Sequence, residues 1–316
     1  MRKIITVMPY DPEWAKMFEH EAALLKNALG ENSLSIHHIG STSVPGLCAK
    51  PKIDIIAVVE DTTFLEQDLG TIGYTYKGEF NIPFQYGFSK RDTFPEVNLH
   101  VYEEGNPETE LNLLFRDYLR NHPKALKEYA DLKLYLVSQD SLHDKNDQKF
   151  SGYTLGKDKF IKKILTQAGF KGLCMRFCTH YDEWDAARHF RQKYFFDKVP
   201  ISDPYTWTFN HPEHVHFILY QGTEMMGYAH LQVWPEQRAA LRIIVIDAPL
   251  RGRGMGKQFL ELCERWLEQK GTKLLQTEAS PAAYSFYSKQ GYIEMPFNDP
   301  DKHPTDLQDI PMGKKL

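Results

Sequence analysis

The chain has 316 residues, with 38 Lys+Arg against 42 Asp+Glu and a formal net charge of −4. At roughly 150 residues per domain this length predicts two domains. With 42% hydrophobic and 25% charged residues, and 19 Phe, 17 Tyr and 5 Trp to fill two cores, a disordered polymer is excluded; without a basic excess, so is a non-specific nucleic-acid binder.

The opening Met1-Arg-Lys-Ile-Ile-Thr-Val-Met-Pro9 carries a basic start but too short an apolar run for a cleavable leader. The longest apolar run, 55–59, has five residues, far from the ~20 that span a bilayer, so no membrane partner is expected. Four cysteines (Cys48, Cys174, Cys178, Cys263) in a chain this size predict reduced thiols and a cytoplasmic location.

Asp11-Pro-Glu-Trp14 predicts a helix start, with Asp11 as cap, Pro12 at the first position and an acid in the first turn. Trp14, Met17, Phe18, Leu25 and Leu29 keep helical spacing until Gly30. Strands follow at 35–39 and 53–59, then near 74–80, 84–89 and 95–102, and helices at 109–121, 123–138 and 154–168. Strands first and helices afterwards make an α+β unit over residues 1–168. After the glycines of Gly169-Phe-Lys-Gly172 the rhythm restarts, placing a second domain over 172–316. It reads as a strand (173–179), a helix (182–195), a hairpin turning near Gln221-Gly222, a strand (240–247), a glycine-rich turn and a helix (255–270). A strand (273–279), a helix (281–290) and a closing strand pair complete it.

Cys174, Cys178 and His180 invite a zinc reading. Their segment alternates with period two, as a strand does, and four strand residues separate the sulfurs by roughly 13 Å, too far for one ion with ~2.3 Å bonds. His214 and His216, two apart, are expected to line one strand face rather than bind metal.

Arg251-Gly-Arg-Gly-Met-Gly256 is the strongest signal. It follows the apolar strand Leu241-Arg-Ile-Ile-Val-Ile246 and opens a helix whose Phe259, Leu260, Cys263 and Trp266 can form a buried face. Alternate glycines expose successive N–H groups at a positive helix end, an arrangement that binds phosphate oxygens. The spacing is neither a dinucleotide fingerprint nor a Walker loop. It closely resembles the R-x-x-G-x-G/A pyrophosphate loop of the GNAT superfamily of acyl-CoA N-acyltransferases. Ser280-Pro-Ala-Ala-Tyr-Ser-Phe-Tyr-Ser-Lys-Gln-Gly-Tyr292 is similar to a second family motif, and Ile310-Pro-Met-Gly-Lys-Lys-Leu316 to a closing strand.

The resemblance implies a central mixed, mostly antiparallel sheet flanked by helices, and acetyl-CoA as acyl donor. By resemblance, Arg251, Gly252, Arg253, Gly254, Met255 and Gly256 hold the cofactor pyrophosphate, Ser280 also belongs to the cofactor site, and backbone groups of Ile244 and Ile246 pair with the pantetheine arm. Tyr287 aligns with the tyrosine that protonates the leaving thiolate, while Tyr284 reads as packing. The acceptor is a small-molecule or protein amine. Where some members carry a glutamate this strand has Arg242; Asp247, Glu278 or a water is left as the base.

His37-His-Ile-Gly-Ser-Thr-Ser-Val-Pro-Gly-Leu-Cys-Ala-Lys-Pro-Lys-Ile-Asp54, Tyr10-Asp-Pro-Glu-Trp14 and Phe115-Arg-Asp-Tyr-Leu-Arg-Asn-His-Pro123 resemble the GrpB family across about 4–166. That resemblance implies a nucleotidyltransferase-like α/β fold. Gly40 and Ser41 can grip phosphates, and carboxylates on the next strand hold Mg²⁺ in a complete site. Here Asp54 is followed by Ile56, so the second acid is missing, and His100 stands where a third ligand would sit. Nucleotidyl transfer is therefore not expected. A phosphorylated ligand around Gly40, Ser41, Lys50, Asp54 and His100 is, with Mg²⁺ left open. Arg116, Asp117 and Arg120 serve either a solvated helix face or, as the family match implies, a site or a domain interface. Of His37 and His38, at most one faces the pocket. The readings that remain are an acetyltransferase with a ligand- or partner-binding first domain, a nucleotide-handling first domain with an accessory second, and a non-enzymatic CoA sensor.

Overall fold

The computed structural model describes residues 6–139, 152–197, 202–302 and 307–316. The chain divides into two compact units, Met1–Cys174 and Met175–Leu316.

The first unit opens with α1 (Glu13–Leu29), whose first N–H is held by the Asp11 carboxylate at 2.9 Å. Pro12 sits just before the helix with helical dihedrals, so the cap works as expected and the helix begins one residue later. Strands β1 (Ser33–Ile39), β2 (Lys52–Val59), β3 (Thr75–Gly78), β4 (Tyr86–Lys90) and β5 (Glu96–Glu103) form a sheet ordered β1-β2-β5-β4-β3. Only β2 and β5 run parallel in it. A short α2 (Leu65–Gly70) follows β2; six residues with two buried leucines leave no helical period to read.

Because strand side chains alternate, β2 presents Ile53, Ile55 and Ala57 to α1 and α2. Its other face carries Ile56 and Val58, which pack with Ile39 and Tyr102. Helices α3 (Pro107–Asn121), α4 (Pro123–Gln139), α5 (Gly152–Leu155) and α6 (Asp158–Gln167) follow. The single helix expected over 154–168 is thus two, separated at Gly156 and Lys157. Leu119, Ala125, Tyr129 and Ile164 of these helices pack on Val44 and Leu47, and so press α3, α4 and α6 against the loop after β1.

The second unit holds β6 (Leu173–Phe177), α7 (Tyr181–Arg191), β7 (His214–Gln221), β8 (Glu224–Trp234), β9 (Arg238–Ile246), α8 (Met255–Gln269), β10 (Leu274–Ala279), α9 (Tyr284–Lys289), β11 (Ile293–Glu294) and β12 (Ile310–Lys315). Its sheet runs β11-β12-β10-β9-β8-β7-β6, mixed, with β9 and β10 parallel. α8 buries Phe259, Leu260, Cys263 and Leu267 completely, the Phe and two Leu side chains contributing about 1.5–3 kcal/mol each. Trp266 meets Phe177 and Phe217 on one sheet face. α7 lies on the other, with Trp184 against His216. Beyond Arg191 it passes into a π-helical turn, 192–196, where the sequence reads as continuous helix.

Candidate functional sites

In the second unit, β9 and β10 pair only from Arg238↔Leu274 to Ala240↔Gln276, then part. A bulge in β9 accompanies the parting: Leu241 pairs with Leu231 and Ile243 with His230, so Arg242 is the extra residue. The stretch carrying Ile244 and Ile246 pairs with β8 and is left unpaired by β10. At the fork, Thr277 donates to the Leu241 carbonyl at 2.9 Å. Tyr287, 7% exposed, hydrogen-bonds with Thr277; burial pushes its hydroxyl up to about 12, and the Thr277 bond opposes that rise. Tyr284 is not core but donates to Glu294 at 2.9 Å.

The glycine loop opens α8 beside this fork. Gly252 and Gly254 have φ of +78° and +80°, and a Cβ built on either meets nothing within 4 Å. Left-handed backbone facing open space at a helix start is a cradle for an anion, since first-turn N–H groups have no partner within the helix. The residues present therefore fit a pyrophosphate. Met255 is buried beneath, and a Cβ built on Gly256 would meet Phe286 and Ile246 at ordinary contact. Arg253 is exposed, whereas Arg251 turns back: its Nε donates to the Ile246 carbonyl at 2.9 Å, and its guanidinium lies 4.8 Å over Tyr194. Arg251 thus braces the loop in this structure. Ser280 is exposed, and its carbonyl accepts from Ala283 and Tyr284 at the turn into α9.

The two base candidates differ. Asp247 accepts from Lys193 at 2.8 Å and from the Tyr194 hydroxyl, and these bonds hold its carboxyl below the ordinary range. Glu278 is pushed up, by burial first, with Asp309 and Asp299 adding and Arg242 opposing. Arg242 itself is committed to Asp299 at 2.7 Å and to Gln232. His214 and His216 line one face with His230: His214 Nδ1 lies 2.8 Å from His230 Nε2, and His216 Nδ1 lies 2.7 Å from the Tyr228 hydroxyl. Buried Arg191 joins His230 and Tyr228 to Asp203. Among the described residues no group of three His, Cys, Asp or Glu is placed to hold a metal, and the four cysteines are free thiols.

In the first unit, Gly40 (φ +68°) is required by its neighbour: a Cβ there would stand 2.5 Å from Asp54 Oδ2. Asp54 Oδ1 accepts from Asn98 Nδ2 at 2.6 Å. Asn98, which the sequence reading missed, pairs with Asp54 across β2 and β5, while His100 pairs with Ile56 and turns to Gln85 at 3.2 Å. Burial holds His100 below its ordinary value, against the pull of Asp54 and Glu108. Ile56 is fully buried. His37 shares the Asp54 face and bonds Ser35, whereas His38 faces the opposite side and stacks on Phe18. Arg116 donates to the His38 carbonyl at 3.0 Å and Arg120 to the Ser43 carbonyl at 2.6 Å, so this helix face clamps both ends of the Gly40–Ser41 turn.

The turn also meets α4. Lys133, 1% exposed, donates to Ser41 Oγ at 3.1 Å and to the Cys48 carbonyl, with its ammonium 4.7 Å from the Tyr129 ring centroid. Lys50 and Lys157 lie 4.1 and 4.7 Å over the ring of Tyr153. The sequence reading missed Lys133 and Lys157. Lys133 stands 92 residues from Ser41, and on an amphipathic helix a lysine reads as solvated.

Forked strands, a glycine loop at a helix start and a tyrosine at the fork thus lie in the second unit. Its residues 182–292 match the acetyltransferase (GNAT) family, which supports an acetyltransferase activity. Residues 4–167 match the GrpB protein family, and through this match the chain belongs to the GrpB family. Protein YqkA of Bacillus subtilis is 39% identical over 164 residues, covering 51% of this chain and 46% of that protein. The chain thus spans about half the length of that relative. A crystal structure of GrpB from Enterococcus faecalis is 39% identical, covers 52% of this chain and 96% of its own, and has a TM-score of 0.46. The ribosomal-protein-S18-alanine N-acetyltransferase of Escherichia coli is 23% identical, covers 46% and 94%, and has a TM-score of 0.38. No helix among the described residues is long and apolar enough to cross a membrane.

Proposed function

We propose that the second unit is an acetyl-CoA-dependent N-acetyltransferase and that the first binds a phosphorylated ligand. The observation that carries the first reading is the open, left-handed Gly252–Gly254 loop at the mouth of the β9–β10 fork. In this reading, Gly252, Arg253, Gly254, Met255 and Gly256 present N–H groups and charge to the pyrophosphate, and the unpaired stretch of β9 receives the pantetheine arm. The acceptor amine loses its proton to Glu278, directly or through water, because Glu278 has the higher proton affinity of the two candidate carboxylates. The free amine forms a bond to the thioester carbonyl, and the C–S bond of the adduct breaks with its electron pair on sulfur. The positively charged nitrogen gives its extra proton, through water, to that thiolate while the Tyr287 hydroxyl donates a hydrogen bond to it.

For the first unit, nucleotidyl transfer is the weaker reading. The position of a second metal-binding carboxylate is Ile56, enclosed by Ile39, Val58 and Tyr102, and a two-metal clamp cannot form on Asp54 alone.

Calorimetry with acetyl-CoA tests the assignment. Gly254→Val puts a branched side chain where the phosphates approach, at a φ only glycine adopts without strain. We expect binding to be lost while the variant's melting temperature confirms folding. Equal affinity in wild type and folded variant removes the cradle and, with it, the acetyltransferase assignment.

A further inference from the structure

Lys133 presents an unusual charge balance. It is 1% exposed, yet among the described residues it forms no ion pair; its partners are Ser41 Oγ, the Cys48 carbonyl and the Tyr129 ring. An ammonium carries three protons, and the two acceptors leave one N–H for another group. Lys157, half-buried, likewise has no ion-pair partner among the described residues, only the Tyr153 ring, and it lies close enough to repel the Lys133 charge. Lys50 approaches the same ring.

Burying an ammonium without a carboxylate is costly, and two that repel one another cost more. Burial pushes Lys133 down to about 8, with Cys48 opposing and Lys157 adding to the effect. Asp54, the carboxylate felt by Lys157, is already bonded to Asn98. The cluster is therefore built for a negative group it does not itself contain. The Ser41 hydroxyl stands among these cations, held by Lys133 and by Tyr129. Tetrahedral anions with several acceptor oxygens match such converging ammonium and hydroxyl donors.

We propose that Lys133, Lys157 and Ser41, flanked by Lys50, Tyr129 and Tyr153, form a site for a phosphate dianion, held by ammonium groups without a divalent metal. This rests on the reading of the first unit as a binder of phosphorylated ligands, and assigns that reading its chemistry. The dianion is either free phosphate or the terminal phosphate of a monoester, which share the same three oxygens.

The test is calorimetry of the full chain with inorganic phosphate, AMP and adenosine, each with EDTA and with Mg²⁺. Phosphate, AMP or both should bind equally well in EDTA, and adenosine should not bind; comparison of the first two distinguishes the free anion from the ester. Lys133→Met and Lys157→Met should each weaken binding about tenfold or more, the scale of one charge-assisted hydrogen bond. If Lys133→Met fails to fold, Lys157→Met carries the test, since its side chain reaches solvent. Lys127→Met, on the exposed face of the same helix as Lys133, should leave phosphate affinity unchanged, and Arg253→Met reports any binding at the glycine loop. Binding that survives both Lys133→Met and Lys157→Met, or falls only with Arg253→Met, overturns this site while leaving a phosphorylated ligand elsewhere open. Binding only with Mg²⁺ overturns the metal-free assignment, and no binding by phosphate or AMP overturns both the site and the reading beneath it.

Discussion

Tyr287 shows how much one hydroxyl can be asked to do. With its proton affinity raised to about 12, chiefly by burial, it is protonated throughout the neutral range. Giving that proton outright to a thiolate, whose conjugate acid titrates near ~8.5, runs uphill by several units. In the proposed reading its contribution is instead a hydrogen bond held on sulfur as charge develops, the thiolate taking its proton from the adduct nitrogen by way of water. Tyr287→Phe should therefore lower kcat about a hundredfold, where a charge-assisted bond and weak acid catalysis overlap, with acetyl-CoA affinity unchanged. Turnover at the wild-type rate would assign the sulfur to water or another residue. At this scale, legibility followed distance along the chain. The 251–256 loop reads locally, because its glycines and helix start are consecutive. Thr277, Asn98 and Lys133 do not, because what singles them out is a partner 36, 44 and 92 residues away.

The elements carry a pH dependence of their own. On β1, burial pushes His38 down to about 4, with Arg120 and Arg116 adding; on β7, burial pushes His216 down to about 3, with the Thr208 carbonyl opposing. Both rings stay neutral in the folded chain while the unfolded chain takes up protons below about pH 6.5. Stability present above that pH is thus lost as pH falls toward 4 and 3. Each ring contributes a slope of about 1.4 kcal/mol per pH unit within its window. Carboxylates add slopes of their own, so the check is comparative: urea unfolding from pH 7 to 4.5 in wild type, His38→Asn and His216→Asn. Each variant should lose about one proton's worth of slope, and an unchanged slope would return that histidine to ordinary titration. Long periodic elements such as α1, α4 and α8 were legible from spacing. The six-residue α2 was not, nor was the π-helical turn, whose residues continue the pattern of α7. The β9 bulge was hidden too, since an extra residue shows only against a partner strand.

At the scale of the whole molecule, the restart of pattern after Gly172 coincides with the first residue of β6, Leu173, which opens the second sheet in sequence. Each unit has its own sheet, and each fully buries large aromatic side chains: Trp14 and Tyr102 in the first, Tyr228 and Phe217 in the second. Units of about 150 residues with separate cores bury enough surface to fold cooperatively alone. Calorimetric melting of the full chain should accordingly show two transitions. Acetyl-CoA, at 100 times its Kd, stabilises the folded form of whatever binds it by about 2.7 kcal/mol, a shift on the order of 5–10 °C for a unit this size. It should move one transition and leave the other in place, and Gly254→Val should abolish the movement. The Lys157→Met substitution, on the other unit, should leave that movement intact. One transition displaced as a whole by acetyl-CoA would mean that the two sheets unfold as a single cooperative body. The phosphate cluster and the glycine cradle would then be linked through stability, and ligand at either would raise the population competent to bind at the other.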